Sequence, residues 1–373
     1  MAVPVVGVIG GGQLARMMVP PAIALGIEIR VLAEKPDASA RLAASAVGDY
    51  RDLQTVQAFA REVDVITFDH EHVPQEILRT LVDEGVAVHP GPQALQFAQD
   101  KLAMRRRLAE LGAPMPDWAG VCNAAQLQEF IDEHGGVAVL KTPRGGYDGH
   151  GVRKVTSGED GADWFEQFDE LLVEELVDFR RELAQLVARR PSGEMKAWPV
   201  VETVQANGVC NEVFAPAPHA TARIHEVAHE IAETIAAGLD VTGVLAVELF
   251  ETSDDRVLVN ELAMRPHNSG HWTIDGARTS QFEQHLRAVL DLPLGDSSAR
   301  EAATVMINIL GGPQTGAITD RFATAMAQFP AAKIHTYGKD ARPGRKVGHV
   351  TVAGAELDQV AFEARGAAAV FDD

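Results

Sequence analysis

Over residues 1–95, short runs of β-branched and aliphatic residues alternate with stretches of helical spacing. Residues 3–9, 27–32, 63–68 and 86–89 read as strands, each closed by glycine, proline or a polar cluster. Strands separated by helices in this way predict a doubly wound parallel sheet. The first strand runs into Gly10-Gly11-Gly12-Gln13-Leu14-Ala15, a glycine turn opening a helix that Pro20-Pro21 should stop or kink. A further helix is predicted over residues 93–111, with Ala94, Leu95, Ala98, Leu102 and Leu108 on one face. Its second half carries Lys101, Arg105, Arg106 and Arg107 and reads as a solvated basic face.

Residues 112–116 read as a linker, and the pattern changes beyond it. A strand over 137–141 ends in Lys141 and is followed by a loop with four glycines in residues 145–151. Glycine lets backbone N–H groups approach phosphate oxygens and lysine supplies a point charge, so the pair suits a mobile lid over nucleotide phosphates. A strand over 171–177 carries Glu174 and Glu175 before Leu176 and Val177, where backbone groups can meet a base; another covers 182–188. A helix over 223–238 precedes two apolar runs, 243–250 and 257–261, joined by turn-forming residues and hence a β-hairpin. Glu248 sits inside the first run and Glu261 ends the second, beside Asn260. Buried carboxylates need a compensating charge, so two on neighbouring strands suggest a shared cation or, as the plainer reading, two salt-bridged glutamates on a sheet face. Hard oxygen ligands of this kind favour Mg²⁺. The segment 262–272 that follows is dense in cationic and polar residues, as ligand loops are. Phe282, Leu286 and Leu290 give a final amphipathic helix, and residues 305–310 with the tail after Lys333 form a smaller C-terminal unit.

Composition narrows the reading. A length of 373 residues suits two or three domains, and 46% apolar content is ample for their cores. No apolar run is long enough to span a membrane, and no basic leader precedes the first strand, so a cytoplasmic protein is expected. Cys122 and Cys210 match no metal or redox spacing and suit packing in a reducing compartment. The net charge of −20 argues against nucleic-acid binding. An anionic ligand must then meet local positive charge, as in the cluster from Arg342 to Lys346.

Two motifs stay open on the residues alone. Gly10, Gly12 and Ala15 fit G-x-G-x-x-A, and Glu34 lies about twenty residues further on, as a nicotinamide enzyme would require. Asp69-His70-Glu71-His72 closes the third strand and reads either as a ligand-facing loop or as a solvated cluster; its spacing does not suit metal ligands on a helix.

A strand lysine, a glycine lid, an acidic hinge and two carboxylates, in that chain order, resemble the ATP-grasp superfamily. Gly11-Gly12-Gln13-Leu14, Gly145-Gly146-Tyr147-Asp148-Gly149, Asn260-Glu261, Asn268-Ser269-Gly270-His271-Trp272 and Arg342-Pro343-Gly344-Arg345-Lys346-Val347-Gly348-His349 are similar, together, to the N5-carboxyaminoimidazole ribonucleotide synthetases. The resemblance covers essentially the whole chain. It implies mixed α/β and α+β architecture: a Rossmann-like pre-ATP-grasp domain over 1–98, an ATP-grasp domain over 99–300 with a lid subdomain at about 117–190, and a small C-terminal domain over 301–373. It implies an ATP-dependent ligase that carboxylates 5-aminoimidazole ribonucleotide with bicarbonate, through carboxyphosphate, in purine biosynthesis. Mg²⁺ would be needed, without biotin or NAD, and the enzyme would be a homodimer.

By position, Lys101 and Lys141 would contact ATP phosphates, under a lid of Gly146, Tyr147, Asp148, Gly149, His150, Gly151 and Val152. Glu174, Glu175, Leu176 and Val177 would hold adenine, Glu182 the ribose, and Glu248 and Glu261, with Asn260 beside them, the Mg²⁺. The ribonucleotide would lie among Gly12, Gln13, Leu14, Glu71, Tyr147, Asp148, Arg265, His267, Asn268, Ser269, His271, Lys339, Arg345 and Lys346. Lys141, Glu248, Glu261, Arg265 and His267 would carry the chemistry. This chain departs from the family pattern at Lys101, usually Arg, at Gln205, often His, and at Asp69, His70 and His72, around the matching Glu71. The competing readings are another ATP-grasp ligase activating formate or a different carboxylate, a nicotinamide oxidoreductase using Gly10, Gly12 and Glu34, and a silent nucleotide-binding module.

Overall fold

The computed structural model describes residues 3–146, 151–206 and 208–372. The N-terminal strands form a five-stranded, all-parallel sheet in the order Ala44–Val47, Glu28–Ala33, Val5–Ile9, Val65–Phe68, Ala87–Val88. Its strands are apolar on both sides because both faces are covered. Val6, Val8, Val31 and Val65 pack with helices Gln13–Leu25 and Gln281–Val289. Ile9, Leu32, Ile66 and Phe68 pack with helices Leu53–Ala60 and Gln75–Asp83.

The helix Gln13–Leu25 continues through Pro20 and Pro21, so of the expected stop or kink the stop does not occur. Each proline removes a backbone donor, but Pro20 is exposed, so its ring lies on the solvent side. Leu14, Ala15, Met17, Met18 and Ala22 bury the opposite stripe and hold the helix to the sheet. The single helix expected over 93–111 is instead two, Pro92–Gln99 and Lys101–Glu110. Asp100 adopts an extended conformation between them, and its carboxylate accepts from Ala103 N–H at 2.9 Å, capping the second helix. Lys101 therefore starts a helix, with its own N–H on Pro143 O at 2.9 Å.

Strands Trp118–Val121, Leu171–Glu175, Ala138–Lys141 and Val152–Val155 form a four-stranded antiparallel sheet in that order. A nine-stranded antiparallel sheet carries the hairpin strands Gly243–Thr252 and Val257–Ala263 at one edge and runs through Phe179–Arg189, Val201–Ala206 and Val209–Ala215. Ala303–Leu310 pairs with Val209–Ala215, so the C-terminal strands continue this sheet rather than starting their own. The helix Leu357–Ala369 covers their outer face, which makes Gln281–Val289 not the final helix. Among the described residues, no helix is long and apolar enough to cross a membrane.

One imidazole ties the parallel sheet to the large one. His285 is fully buried; Val244 N–H donates to its Nδ1 at 3.0 Å, which leaves the ring proton on Nε2, 2.7 Å from the Thr67 hydroxyl. Burial, with repulsion from His89, pushes His285 down to about 3. The unfolded chain protonates this ring below about 6.5 whereas the folded chain refuses the proton, so its contribution is complete above that value and is lost as pH falls towards about 3. His285→Asn should cost about 1–3 kcal/mol at neutral pH. Its urea-unfolding free energy should also fall less steeply between about pH 6.5 and pH 5, by up to about 1.4 kcal/mol per pH unit. Equal slopes in the two proteins would contradict this account.

Candidate functional site

The hairpin sets the site's geometry. Glu248 and Glu261 are directly opposite each other across its two strands. The register slips by one residue between Glu248 and Leu249, leaving Asn260 without a partner on the facing strand. Such a bulge breaks the alternation of faces, and Asn260 and Glu261 both line the same cleft. Burial pushes the Glu248 carboxyl up to about 8, helped by repulsion from Glu261 and Glu182. His267 Nε2 lies 3.2 Å from Glu248 Oε1, and its Nδ1 lies 2.9 Å from Ser269 Oγ. Burial, with repulsion from Arg265 and Lys346, lowers His267 to about 3, so its imidazole is neutral.

The cations are arranged around this pair. Lys101 Nζ is 3.2 Å from Glu261 Oε1. Lys141 Nζ donates to Asn260 Oδ1 at 3.3 Å and to Glu174 Oε2 at 2.6 Å. Glu174 is 2% exposed, so its side chain turns inward to hold the lysine rather than outward to meet a base. Its burial alone would raise the carboxyl, but Lys141 and Arg105 outweigh it and hold the group at about 2. Arg105 is fully buried, not part of a solvated basic face. The helix turns it towards Glu174 and the hairpin, while Arg106 and Arg107 stay nearer solvent.

All of this opens into one cleft of about 1440 Å³. Of the expected nucleotide residues, Lys101, Lys141, Gly146, Val152, Glu174, Glu175, Leu176, Val177, Glu182, Asn260 and Glu261 line it. Tyr147, Asp148, Gly149 and His150 lie outside the described residues. Gly151 is not in the wall; its carbonyl accepts from Thr142 N–H. Glu175 gives its N–H to Asp117 O at 2.9 Å, leaving the step at Leu176 and Val177 to face a ligand. An apolar wall that sequence reading missed, Val139, Phe179 and Phe250, lies at the same end, with the two phenyl rings stacked at 4.7 Å. Phe250 is two residues beyond Glu248 on the same strand, so period-two alternation carried that signal.

At the other end, residues from early and late in the chain meet. Lys339 Nζ donates to Gln13 Oε1 at 2.8 Å. Glu71 accepts from Met264 N–H at 2.6 Å and pairs with Arg265 Nε at 3.2 Å. Gly12, Leu14, His267, Asn268, Arg345 and Lys346 line this end as well. Ser269 and His271 do not reach it. Ser269 is buried against His267, and His271 is buried with its Nδ1 on Gln281 Nε2 at 3.0 Å, so these two support the wall from behind.

The glycine turn is already occupied. Asp69 Oδ1 accepts from Ala15 N–H at 2.8 Å at the helix start, and a Cβ on Gly12 would lie 2.0 Å from Asp69 Oδ2. The protein thus places its own carboxylate where a dinucleotide's pyrophosphate would sit. Glu34, the expected ribose ligand, accepts from Gly11 N–H at 3.2 Å and pairs with His70 at 3.2 Å, which holds it at about 2. In Asp69-His70-Glu71-His72 the first three side chains therefore turn to three different partners. Among the described residues, no group of three or more such side chains converges as metal ligands.

Comparison with known proteins adds the following. The profile of the ribonucleotide synthetase preATP-grasp domain matches residues 3–99, that of the ATP-grasp domain residues 106–282, and that of the phosphoribosylaminoimidazole carboxylase C-terminal domain residues 304–362. The N5-carboxyaminoimidazole ribonucleotide synthase of Mycobacterium tuberculosis is 51% identical over 373 residues, covering 98% of this chain and 87% of the relative. The crystal structure of the Aspergillus clavatus N5-carboxyaminoimidazole synthase in complex with ADP and 5-aminoimidazole ribonucleotide superposes with a TM-score of 0.89 at 34% identity, over 99% of this chain and 98% of that one. The Thermus thermophilus synthetase gives 0.88 at 35% identity, over 99% and 98%.

With Asp69 and Glu34 engaged, neither NAD nor NADP should bind saturably. Titration calorimetry checks this, and a micromolar dissociation constant for either would restore the dinucleotide reading.

Proposed function

The chain belongs to the N5-carboxyaminoimidazole ribonucleotide synthases, ligases of the ATP-grasp superfamily, and from that premise we propose how its own residues divide the work. The reaction is the ATP-dependent carboxylation of 5-aminoimidazole ribonucleotide in purine biosynthesis. In the proposed course, a bicarbonate oxygen attacks the γ-phosphorus of ATP and ADP leaves. The resulting carboxyphosphate breaks down to CO₂ and phosphate, and the aminoimidazole amine captures the CO₂, releasing a proton. The protein's part is positioning and charge stabilisation.

The donor set fits Mg²⁺. Two carboxylates face each other, one is pushed up by burial and by the other's charge, and the cleft beside them has room for the phosphate oxygens and water that would complete this ion's shell. Held by Glu248 and Glu261, Mg²⁺ would neutralise the charge of the phosphate groups. Lys101 and Lys141 extend over the same phosphates. Leu176 and Val177 meet the adenine between Val139, Phe179 and Phe250, and Glu182 takes the ribose. His267, neutral and fixed by Ser269, orients Glu248, while Arg265, fixed by Glu71, presents charge to the carboxylating group. Gln13 with Lys339, Arg345 and Lys346 holds the ribonucleotide phosphate. We retain the division at residues 98 and 300, with a lid subdomain at about 117–190 and the C-terminal unit extending the large sheet. A cytoplasmic homodimer is part of the same reading.

The observation that carries this reading is the opposed Glu248–Glu261 pair with Lys101 and Lys141 in one cleft, joined to the cationic end at Gln13 and Lys339. Phosphate release from ATP should require Mg²⁺ and bicarbonate and rise with aminoimidazole ribonucleotide, with no oxidation of NADH. Release indifferent to the ribonucleotide would point to a different ATP-grasp ligase.

Two substitutions test the two ends. Glu261→Gln keeps shape and removes one charge, and turnover should fall at least about 100-fold while the fold survives. Near-normal ATP hydrolysis would remove Glu261 from the metal site. Arg345→Ala should raise the ribonucleotide KM by the equivalent of about 1.5–3 kcal/mol and leave the ATP KM nearly unchanged. The reverse pattern would put the substrate at the wrong end of the cleft.

A further inference from the structure

Arg105 makes three hydrogen bonds from a position with no exposure to water. Its Nε donates to Glu174 Oε1 at 2.5 Å, its Nη1 to Val259 O at 3.0 Å and its Nη2 to Asn260 O at 2.7 Å, while the other oxygen of Glu174 holds Lys141. Both carbonyls belong to the bulged stretch of Val257–Ala263, an edge strand beyond which no strand among the described residues takes them up. On the same stretch, Val259 N–H is given to Pro114 O at 2.8 Å. One guanidinium therefore joins the four-stranded sheet, which supplies Glu174 and Lys141, to the hairpin, which supplies Asn260 and Glu261. Its planar fork can serve three acceptors in fixed directions, which a lysine ammonium cannot do.

The charge count gives this contact a consequence. Glu174 carries one negative charge and has two cations on it, Arg105 and Lys141. With Arg105 present, the trio is net positive, and that surplus is presented to the cleft through Lys141. Without Arg105, Glu174 and Lys141 would neutralise each other, and a buried carboxylate would pull the ammonium away from the phosphates. The bulge that turns Asn260 and Glu261 into the cleft would also lose the group that fixes its carbonyls.

We propose that Arg105 is a positioning residue for phosphoryl transfer: by neutralising Glu174 and gripping the bulge, it keeps the charge of Lys141 and the carboxylate of Glu261 directed at the nucleotide phosphates. The proposal rests on the assignment of Lys141 and Glu261 to the ATP end of the cleft.

The test compares the full-length wild type with Arg105→Met, Arg105→Lys and the double variant Arg105→Met/Glu174→Gln. Arg105→Met should raise the ATP KM and lower kcat at least about 10-fold, with the aminoimidazole ribonucleotide KM within about twofold of wild type. Arg105→Lys restores the charge on Glu174 but not the fork on the bulge, and should fall between the two. The double variant removes the carboxylate that would otherwise capture Lys141, so it should regain part of the kcat lost by Arg105→Met. A merely structural arginine would not give that recovery or spare the ribonucleotide KM. Should Arg105→Met fail to fold, Arg105→Lys and the double variant decide the matter by the same ATP-against-ribonucleotide split. Wild-type ATP parameters in Arg105→Lys and Arg105→Met, equal rises in both KM values, or a double variant no better than the single would each overturn the proposal. The affinity of a fluorescent ATP analogue, measured apart from turnover, separates the two levels. If wild type binds the analogue but shows no ribonucleotide-dependent turnover, the functional reading fails, while the variants' analogue affinities still test Arg105.

Discussion

Two carboxylates facing each other across a hairpin repel, and that repulsion sets the requirements for the cleft. Strand register keeps the backbones of Glu248 and Glu261 opposite each other, and their side chains share one cleft. Burial, with that repulsion added to it, pushes Glu248 up to about 8. Lys101 answers Glu261 directly, and Lys141 approaches through Asn260. A divalent cation and the phosphates it carries would complete the balance. The chain's overall charge of −20 sharpens the point, because positive charge has to be concentrated where anions are to be bound.

The fold meets these requirements by bringing distant pieces of chain to one place. The parallel sheet delivers Gly12, Gln13 and Glu71 from the ends of its strands, the position where open α/β sheets present ligand-binding loops. The nine-stranded sheet delivers Glu182, Glu248 and the bulged edge, and its extension through Ala303–Leu310 and Lys346–Gly354 brings the C-terminal cations round to Gln13. His285 and Arg105 are two buried side chains that join these layers, one between the parallel and large sheets and one between the large sheet and the four-stranded sheet.

Much of this was legible where local chemistry determines structure. A carboxylate in a β-branched run, a lysine at a strand end before glycines, and a glycine turn after an apolar strand each declared their place. What stayed hidden depended on partners far away in sequence. The pattern around Arg105 reads as a basic helix face, and only Glu174 and the carbonyls of Val259 and Asn260 explain its burial. The glycine turn looked open to a dinucleotide until Asp69, 54 positions from Ala15, filled it. Asp100 was the exception: an N-cap residue at the head of the Lys101 helix is a local signal, and it was outweighed by apolar spacing that ran across the break. His271 matched a family motif, yet a motif match cannot distinguish a side chain in the wall from one packed behind it.

The most direct measurement is a crystal structure of the protein with ADP and Mn²⁺ in place of Mg²⁺, with the ion located by its anomalous scattering. The account predicts a peak within bonding distance of carboxylate oxygens of both Glu248 and Glu261 and of a phosphate oxygen, with Lys101 and Lys141 turned towards the same phosphates. A metal held by phosphate and water alone, or bound away from this hairpin, would contradict it.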